Sequence, residues 1–450
     1  MNPINRRDFL RLGTATSMGV ALSAAVPEAV RAARADAPLL DFRVPPIEVV
    51  RIGFVGVGGM GMVHLQNLLN IEGVELRAIC DIVPEKVAKA QQMVVDKGQP
   101  RPEGYDRGPY DFRRMCDRAD LDLVFNVTPW EWHVPIAVEA MEKGKHAAIE
   151  VPLATTLEEC WQLVEVAERH QRHCMMLENC CYDREEMLCL NLVKQGLLGE
   201  VLHSECGYLH DLRAIKFSSE GEGLWRLAHS ARRNANLYPT HGLGPVAQCM
   251  DVNRGDRFAY LVSMSSPSMG LNAYAAAQFG TDDPRATQRY ALGDVNVSLL
   301  RTTRGKVVTL YHDTNLPRPY SRIHIVQGTN GLFEKYPDRV HIEGRSKPHQ
   351  WDNVADWEAY LHPLWKEMEP KMQNLPGHGG MDFLEDYRLI RALRAGEPLD
   401  MDLYDGLTWS VVTPLSEQSV ANRSMPVDFP DFTRGAWMQP RPLHVMNVQG

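Results

Sequence analysis

Three groups of residues in this chain have the types and spacing to do chemistry. The first is Gly56-Val57-Gly58-Gly59-Met60-Gly61, with Asp81 standing 20 positions past Gly61. A G-x-G-x-x-G turn between a strand and a helix lets backbone approach a pyrophosphate, whose charge then faces the helix N-terminus. An acid about 20 residues on binds ribose hydroxyls and disfavours the extra phosphate of NADP, so the pattern predicts bound NAD. The second group lies where strands should end: Thr128-Pro129-Trp130-Glu131-Trp132-His133, Glu150-Val151-Pro152 and Glu178-Asn179. The third gathers tyrosine, histidine, arginine and acid in dense runs. These are Cys206–Arg213, Trp225-Arg226, Asn236–Pro245, Arg318-Pro319-Tyr320 and Gly377-His378-Gly379-Gly380.

The elements that must position these groups read as an alternation. Val49–Val55 is a buried strand running into the Gly-rich turn, and a helix follows through Leu69. Val74–Cys80 is a second strand, ending at Asp81. Pro84 opens a helix that stops near Gly98, Leu121–Val127 is a strand, and His133–Lys143 is a helix stopped by Gly144. His146–Glu150 is a strand, and Thr155-x-x-Glu158 reads as the capping box of the next helix. Cys174–Glu178 is another strand and Asp183–Gln195 another helix. This repetition predicts a Rossmann-type, doubly wound parallel sheet of the α/β class, with ligands beyond the C-terminal strand ends.

From about Gly199 the strands follow one another without helices: Val201–Leu209, Phe258–Ser265, Asn296–Arg301, Val307–His312 and Ser321–Gly328. An open, mainly antiparallel sheet in an α+β domain is expected. Asp382–Ala395 contains no Gly or Pro and reads as a helix ended by Gly396. The expected division is a signal over 1–35, a dinucleotide-binding domain over 45–180 and a substrate-binding domain over 181–450. The Pro-rich tail should pack back on the first domain.

Composition narrows the function. Across 450 residues, 48 Lys+Arg against 57 Asp+Glu leave a net charge of −9, and no long basic block is present to neutralise phosphates. Nucleic acid is therefore not an expected partner. No run past residue 35 reaches the roughly 18 apolar residues of a membrane span, so no stable membrane anchor is expected. The 9 cysteines are odd in number and form no C-x-x-C pair, which favours buried thiols over disulfides or zinc. No metal is expected. At the start, Asn5-Arg6-Arg7-Asp8-Phe9-Leu10-Arg11 precedes a weakly apolar segment, Leu12–Val26, and Ala33-Arg34-Ala35 offers a cleavage point. This looks like a twin-arginine export signal, predicting a periplasmic or secreted protein that leaves the cytoplasm folded around its cofactor.

In this order the motifs show a resemblance. The Gly-rich turn, Asp81, Thr128-Pro129-x-x-x-His133 and Glu150-x-Pro152 resemble the glucose–fructose oxidoreductase superfamily of sugar dehydrogenases. There the last motif is Glu-Lys-Pro, and the lysine touches the reacting hydroxyl. Here Val151 has neither a proton to exchange nor a charge. The Tyr238–Pro245 run, with the other clusters, resembles glycoside hydrolase family 109, NAD-dependent α-N-acetylgalactosaminidases of the same two-domain fold. The likeness covers essentially all of the mature chain. His241 and Pro245 stand where the dehydrogenases usually carry Asp and His.

The resemblance implies that Gly58, Met60, Gly61, Asp81, Trp130, His133, Glu150, Val151 and Asn179 hold NAD. It gives the sugar to Tyr208, Arg226, Tyr238, His241 and Tyr320. The implied substrate is a glycan ending in N-acetylgalactosamine, with the α linkage expected. The implied cycle is C3 oxidation, loss of the C2 proton, elimination at C1, water addition and re-reduction. Residue chemistry agrees: tyrosines offer flat faces and hydroxyls to a pyranose, and Arg226 can hold an acetamido oxygen. His241 is the general base by intrinsic pKa, with Tyr238 as partner. Which of them serves C3–OH and which C2–H stays open.

Structural roles compete with each assignment. His133 could cap its helix, Glu150 could pair with a lysine, and Tyr208 and Tyr320 could face a core. His241 could be a hydrogen-bonded loop residue, Asp211 and Arg213 a plain ion pair, and His378 part of a lid. Two other functions compete as well. One is a periplasmic NAD(P)-dependent sugar oxidoreductase, against which Val151 and His241 speak. The other is a non-catalytic sugar-binding protein, against which the proton-transfer pair Tyr238 and His241 speaks. An open sheet face also leaves a homo-oligomer open.

Overall fold

A computed structural model describes residues 37–447. The export-signal expectation lies outside the described residues. The chain first alternates β1 (Val50–Val55), α1 (Gly59–Leu68), β2 (Val74–Cys80), α2 (Pro84–Asp96), β3 (Glu103–Tyr105) and α3 (Asp111–Cys116). It continues with β4 (Leu123–Asn126), α4 (His133–Glu142), β5 (His146–Glu150), α5 (Leu157–His170), β6 (Cys174–Leu177) and α6 (Arg184–Lys194). The six strands pair in parallel in the order β3-β2-β1-β4-β5-β6. Chain direction across the sheet reverses between β1 and β4, and a ligand crevice forms beyond strand ends at such a point. Strands buried on both faces read as continuous apolar runs, as Ile52, Phe54, Leu123 and Phe125 do here. The Phe54 and Phe125 rings stack at 5.1 Å across the switch point.

The second half supplies β7 (Val201–Leu209), α7 (Gly223–Arg232), α8 (Thr240–Cys249), β8 (Phe258–Ser265), β9 (Val295–Thr302) and β10 (Val307–Asp313). Four further strands follow: β11 (Ile325–Gly328), β12 (Gly331–Glu334), β13 (Arg339–Ile342) and β14 (Asp352–Asn353). Then come α9 (Met381–Ala395), α10 (Leu403–Ser410), α11 (Val412–Ala421) and β15 (Val427–Asp428). Nine strands make one sheet, ordered β14-β13-β12-β11-β7-β10-β9-β8-β15. All its pairings are antiparallel except β7 with β10. Alternate residues such as Leu261, Leu300, Val308, Leu310 and Val326 are buried, while Tyr260, Met264 and Leu299 are exposed on the other face.

Two local expectations need correction. The capping box of α5 is Thr156 with Glu159, one residue later than the Thr155 and Glu158 expected, and both of its reciprocal bonds form. The continuous strand expected over Ser321–Gly328 is broken. Ile323 and His324 adopt positive φ of 65° and 51°, so only Ile325–Gly328 pairs, with an isolated bridge from Ser321 to Leu209.

α9 packs on α1 and on the turn after β6, bringing C-terminal residues to the crevice. The segment after β15 lies on α5, with Phe432 4.9 Å from Trp161 and Arg434 paired to Glu168.

Candidate active site

The turn after β1 has the shape a dinucleotide needs. A Cβ on Gly61 would lie 2.0 Å from the Gly56 carbonyl oxygen, so α1 can begin this close to β1 only with glycine there. A Cβ on Gly58 or Gly59 would meet no atom within 4 Å, which leaves open space in front of the helix. Gly58 is the N-cap of α1 and supplies no side-chain acceptor, and the first turn contains no acid. The first N–H groups of α1 therefore face that space uncapped, a ready anion seat. Met60 lies in the same turn of α1. Asp81, just past β2, accepts from the N–H of Val57 at 2.9 Å and of Val83 at 3.0 Å. It ties the turn to the strand end and keeps a carboxylate beside the seat. These residues fit a bound NAD.

The other strand ends supply the far side of the crevice. Trp130 follows β4 in a short 3-10 turn and is nearly buried. Glu150 ends β5, with one oxygen accepting from the Val151 N–H at 2.9 Å and the other 3.0 Å from His64 Nε2. This partner is a histidine, not the lysine weighed in the sequence. Val151 is buried and apolar. Asn179 follows β6 and donates to Asp382 of α9 at 2.6 Å.

His133 takes a different place from either expectation. Trp132, not His133, is the N-cap of α4. The His133 ring is buried, with Nδ1 2.7 Å from the Pro152 carbonyl and Nε2 2.8 Å from the Thr128 carbonyl. Burial lowers its pKa, against the pull of the two carbonyls. A neutral ring donates to one of these carbonyls, and the histidine braces the loops after β4 and β5.

The five residues assigned to the sugar converge. Tyr208 ends β7, Arg226 lies on α7, Tyr238 and His241 flank the start of α8, and Tyr320 precedes the bridge to Leu209. A Cβ on Gly242 would lie 2.5 Å from the Gly207 nitrogen, so α8 meets β7 backbone to backbone and His241 is carried beside Tyr208. Pro245 gives no N–H to the His241 carbonyl four residues earlier. Ring centres of Tyr208 and Tyr238 lie 4.5 Å apart, of Tyr238 and His241 4.9 Å, and of Tyr208 and Tyr320 6.1 Å. Trp130 stacks on Tyr238 at 5.9 Å, which joins this aromatic cradle to the crevice.

Arg226 is held through Nε by Glu222, and its guanidinium sits 4.9–5.3 Å from the rings of Trp225, Tyr238 and Trp130. Burial pushes the Tyr208 phenol up to about 12, and pushes Tyr238 well above its ordinary value against the opposing charge of Arg226. Both phenols are therefore O–H donors at neutral pH. Tyr208 is 2.9 Å from His210 Nδ1, and Tyr320, 37% exposed, accepts from Arg322 at 3.0 Å. Asp211 and Arg213 form the plain ion pair, at 2.7 Å. His378 is exposed, 3.0 Å from Asp382.

The functional partner that sequence reasoning did not pair is Glu178. It is 0% exposed, caps the turn after β6 by accepting from Cys180 N–H, and lies 2.7 Å from His241 Nδ1. A carboxylate at Nδ1 makes that nitrogen the donor and leaves the lone pair on Nε2. Among the described residues Nε2 has no hydrogen-bond partner. The signal was the strand-end position of Glu178; its contact with His241 spans 63 residues and has no local signature.

A parallel sheet with a dinucleotide seat, joined to an aromatic cradle holding a carboxylate-oriented histidine, defines an NAD-binding enzyme of the sugar-oxidoreductase fold. A profile of the oxidoreductase family with an NAD-binding Rossmann fold matches residues 50–178, and one of the glycosyl hydrolase 109 C-terminal domain matches 182–439. A glycosyl hydrolase family 109 protein of Shewanella pealeana is 47% identical over 99% of this chain and 100% of its own. A Shewanella oneidensis protein named alpha-N-acetylgalactosaminidase is 46% identical over the full length of both. Among solved structures, levoglucosan dehydrogenase in complex with NADH is similar, at TM-score 0.64 and 21% identity, over 85% of this chain and 99% of its own. So is scyllo-inositol dehydrogenase from Lactobacillus casei, at TM-score 0.61 and 16% identity, over 84% and 99%. The chain belongs to glycosyl hydrolase family 109. It is an NAD-dependent glycoside hydrolase.

Proposed function

We propose that the enzyme releases terminal α-linked N-acetylgalactosamine by a cycle of oxidation, elimination, hydration and reduction. The observation that carries this reading is His241, its Nδ1 on buried Glu178 and its ring among Tyr208 and Tyr238, one ring away from Trp130 of the crevice. NAD, when bound, would supply the hydride acceptor for C3; the C3–OH proton leaves through His241 Nε2 to solvent before the base takes C2–H, and a proton returns to the C3 oxygen when the ketone is reduced. A C3 ketone acidifies C2–H, and His241 Nε2 is the lone pair positioned to take that proton. Glu178 stabilises the imidazolium that results, as a buried carboxylate does behind a catalytic histidine. Tyr238 and Tyr208, protonated at neutral pH, donate hydrogen bonds to sugar oxygens rather than act as bases. The pair left at C2 forms the C1=C2 bond while the C1 substituent departs with the C1–O pair and takes a proton from water, whose hydroxyl then adds to C1. His241 then gives a proton back to C2. Arg226, with Nε on Glu222, has its terminal nitrogens for the acetamido oxygen.

The name of the Shewanella oneidensis relative supports the sugar, and the sequence signal at Arg6-Arg7 supports work outside the cytoplasm. A cofactor restored on every turnover suits a compartment without a dinucleotide supply. The test is an assay on nitrophenyl α- and β-N-acetylgalactosaminides, with the bound nucleotide identified after denaturation. Release of nitrophenol from the α-substrate with NAD bound is expected. Oxidised sugar still joined to its aglycone, with NADH accumulating, would replace this reading with the net oxidoreductase.

A further inference from the structure

Behind the crevice lies a second histidine that the proposed cycle does not use. His64 occupies the middle of α1, 1% exposed, between two acids from distant parts of the chain. Its Nε2 is 3.0 Å from Glu150 at the end of β5, and its Nδ1 is 3.0 Å from both oxygens of Asp386 on α9. Asp386 is fully buried. Only an imidazolium can donate from both nitrogens; a neutral ring would set a lone pair against one carboxylate. The remaining Glu150 oxygen holds the Val151 N–H, which opens the loop beyond β5. One chain of hydrogen bonds thus runs from α9 through α1 to the rim of the dinucleotide crevice.

We propose that Asp386, His64 and Glu150 form a proton-gated clamp that holds the crevice closed on NAD, with His64 and Asp386 as positioning residues for the loop at Val151. The clamp ties the helix whose N-terminus seats the pyrophosphate to the strand end on the far side of the crevice. Each of its bonds is charge-assisted, hence stronger than a neutral one, and those to Asp386 are shielded from solvent. Burial alone would drive His64 neutral, but Asp386 and Glu150 outweigh it and hold its pKa well above the ordinary value. Burial also raises Asp386, to about 6 despite His64, whereas His64 outweighs burial at Glu150 and lowers it. Asp382 and Glu385 of α9, His378 before that helix, His133 of α4 and Tyr238 are the other titratable groups facing this set. Burial pushes Glu385 well up, toward the neutral acid, and among the described residues neither of its oxygens has a hydrogen-bond partner.

A raised histidine pKa means the clamp is intact below that value and lost as pH rises through it. In the wild type it therefore holds across neutrality, and its lower edge is set by the Asp386 carboxyl, which takes up a proton as pH falls toward about 6. Asp386→Asn removes the anion facing Nδ1, so the pKa of His64 falls and release moves into the neutral range. The holoenzyme and this variant are passed through gel filtration at about pH 7 and about pH 8.5, and the NAD retained is counted after denaturation. The wild type should retain NAD at both values, and Asp386→Asn should lose it about tenfold faster at the higher one only. His64→Gln removes the imidazolium itself and should lose NAD faster than the wild type at both. His378 is retained in all three proteins, so the differences between them follow the clamp residues. Asp386→Asn with wild-type retention at both values, or with the same loss at both, would overturn the clamp. Should the variant fail to fold, nitrogen-15 histidine spectra of the wild-type holoenzyme decide. An imidazolium at His64 near neutral pH is expected, and a neutral tautomer there overturns the proposal.

Discussion

Glu178→Gln is the substitution that most directly probes how the base is prepared. The side chain keeps its size, so the buried turn after β6 should fold as before, with Cys180 N–H still bonded to the amide oxygen. What is lost is the charge 2.7 Å from His241 Nδ1. A hydrogen bond to a charged group contributes about 1.5–3 kcal/mol. At about 1.4 kcal/mol per factor of ten, that converts to a fall of about 10- to 100-fold. It should appear in kcat, because the charge matters most when His241 becomes an imidazolium, while KM stays within about twofold. If the new amide turns its NH2 toward Nδ1, the proton moves to Nε2 and the base is blocked. Losses then approach the about 10,000-fold seen when a carboxylate behind a catalytic histidine becomes an amide. The assay is steady-state hydrolysis of the nitrophenyl α-substrate, with bound NAD counted to exclude cofactor loss. Wild-type kcat in a folded, NAD-loaded Glu178→Gln protein would refute the dyad.

Three further outcomes follow from the geometry. Gly61→Ala places a Cβ 2.0 Å from the Gly56 carbonyl, so the purified protein should hold little NAD and melt lower by calorimetry; full NAD content would contradict the seat. Arg226→Ala removes the cation packed among three rings and should raise KM about tenfold or more with a smaller change in kcat; an effect on kcat alone would move Arg226 out of sugar binding. Tyr208, pushed up to about 12 by burial, stays protonated throughout the working range. Tyr208→Phe should thus lower activity without moving the alkaline limb of the kcat/KM profile, and a displaced limb would make Tyr208 the titrating group.

Much of the first half was legible because its signals are local. The Gly-rich turn, the apolar strands and the helix stops each lie within a dozen residues, and the parallel order follows from their alternation. The cradle residues were legible as a set, through the Tyr238–Pro245 run and its resemblance, but not their contacts. Glu178 was marked only as a strand end, and its partner is set by the close approach of Gly207 and Gly242, which no periodicity encodes. His64 looked like one more residue of α1, since Asp386 reaches it across 322 positions. His133 fell to the bracing of two loops because both carbonyls within its reach belong to turns whose shape is tertiary. The break at Ile323 and His324 likewise lies in positive φ at two non-glycine residues, which no turn residue beside them marks in the sequence.

The central claim is that the glycosidic bond breaks by elimination across C1 and C2, with the hydride returned to C3. Hydrolysis of the nitrophenyl α-substrate in heavy water, with the released sugar examined by proton NMR and mass spectrometry, tests it most directly. A deuterium at C2 of the released N-acetylgalactosamine is expected, with no accumulation of NADH. Released sugar that carries only hydrogen at C2 would contradict it.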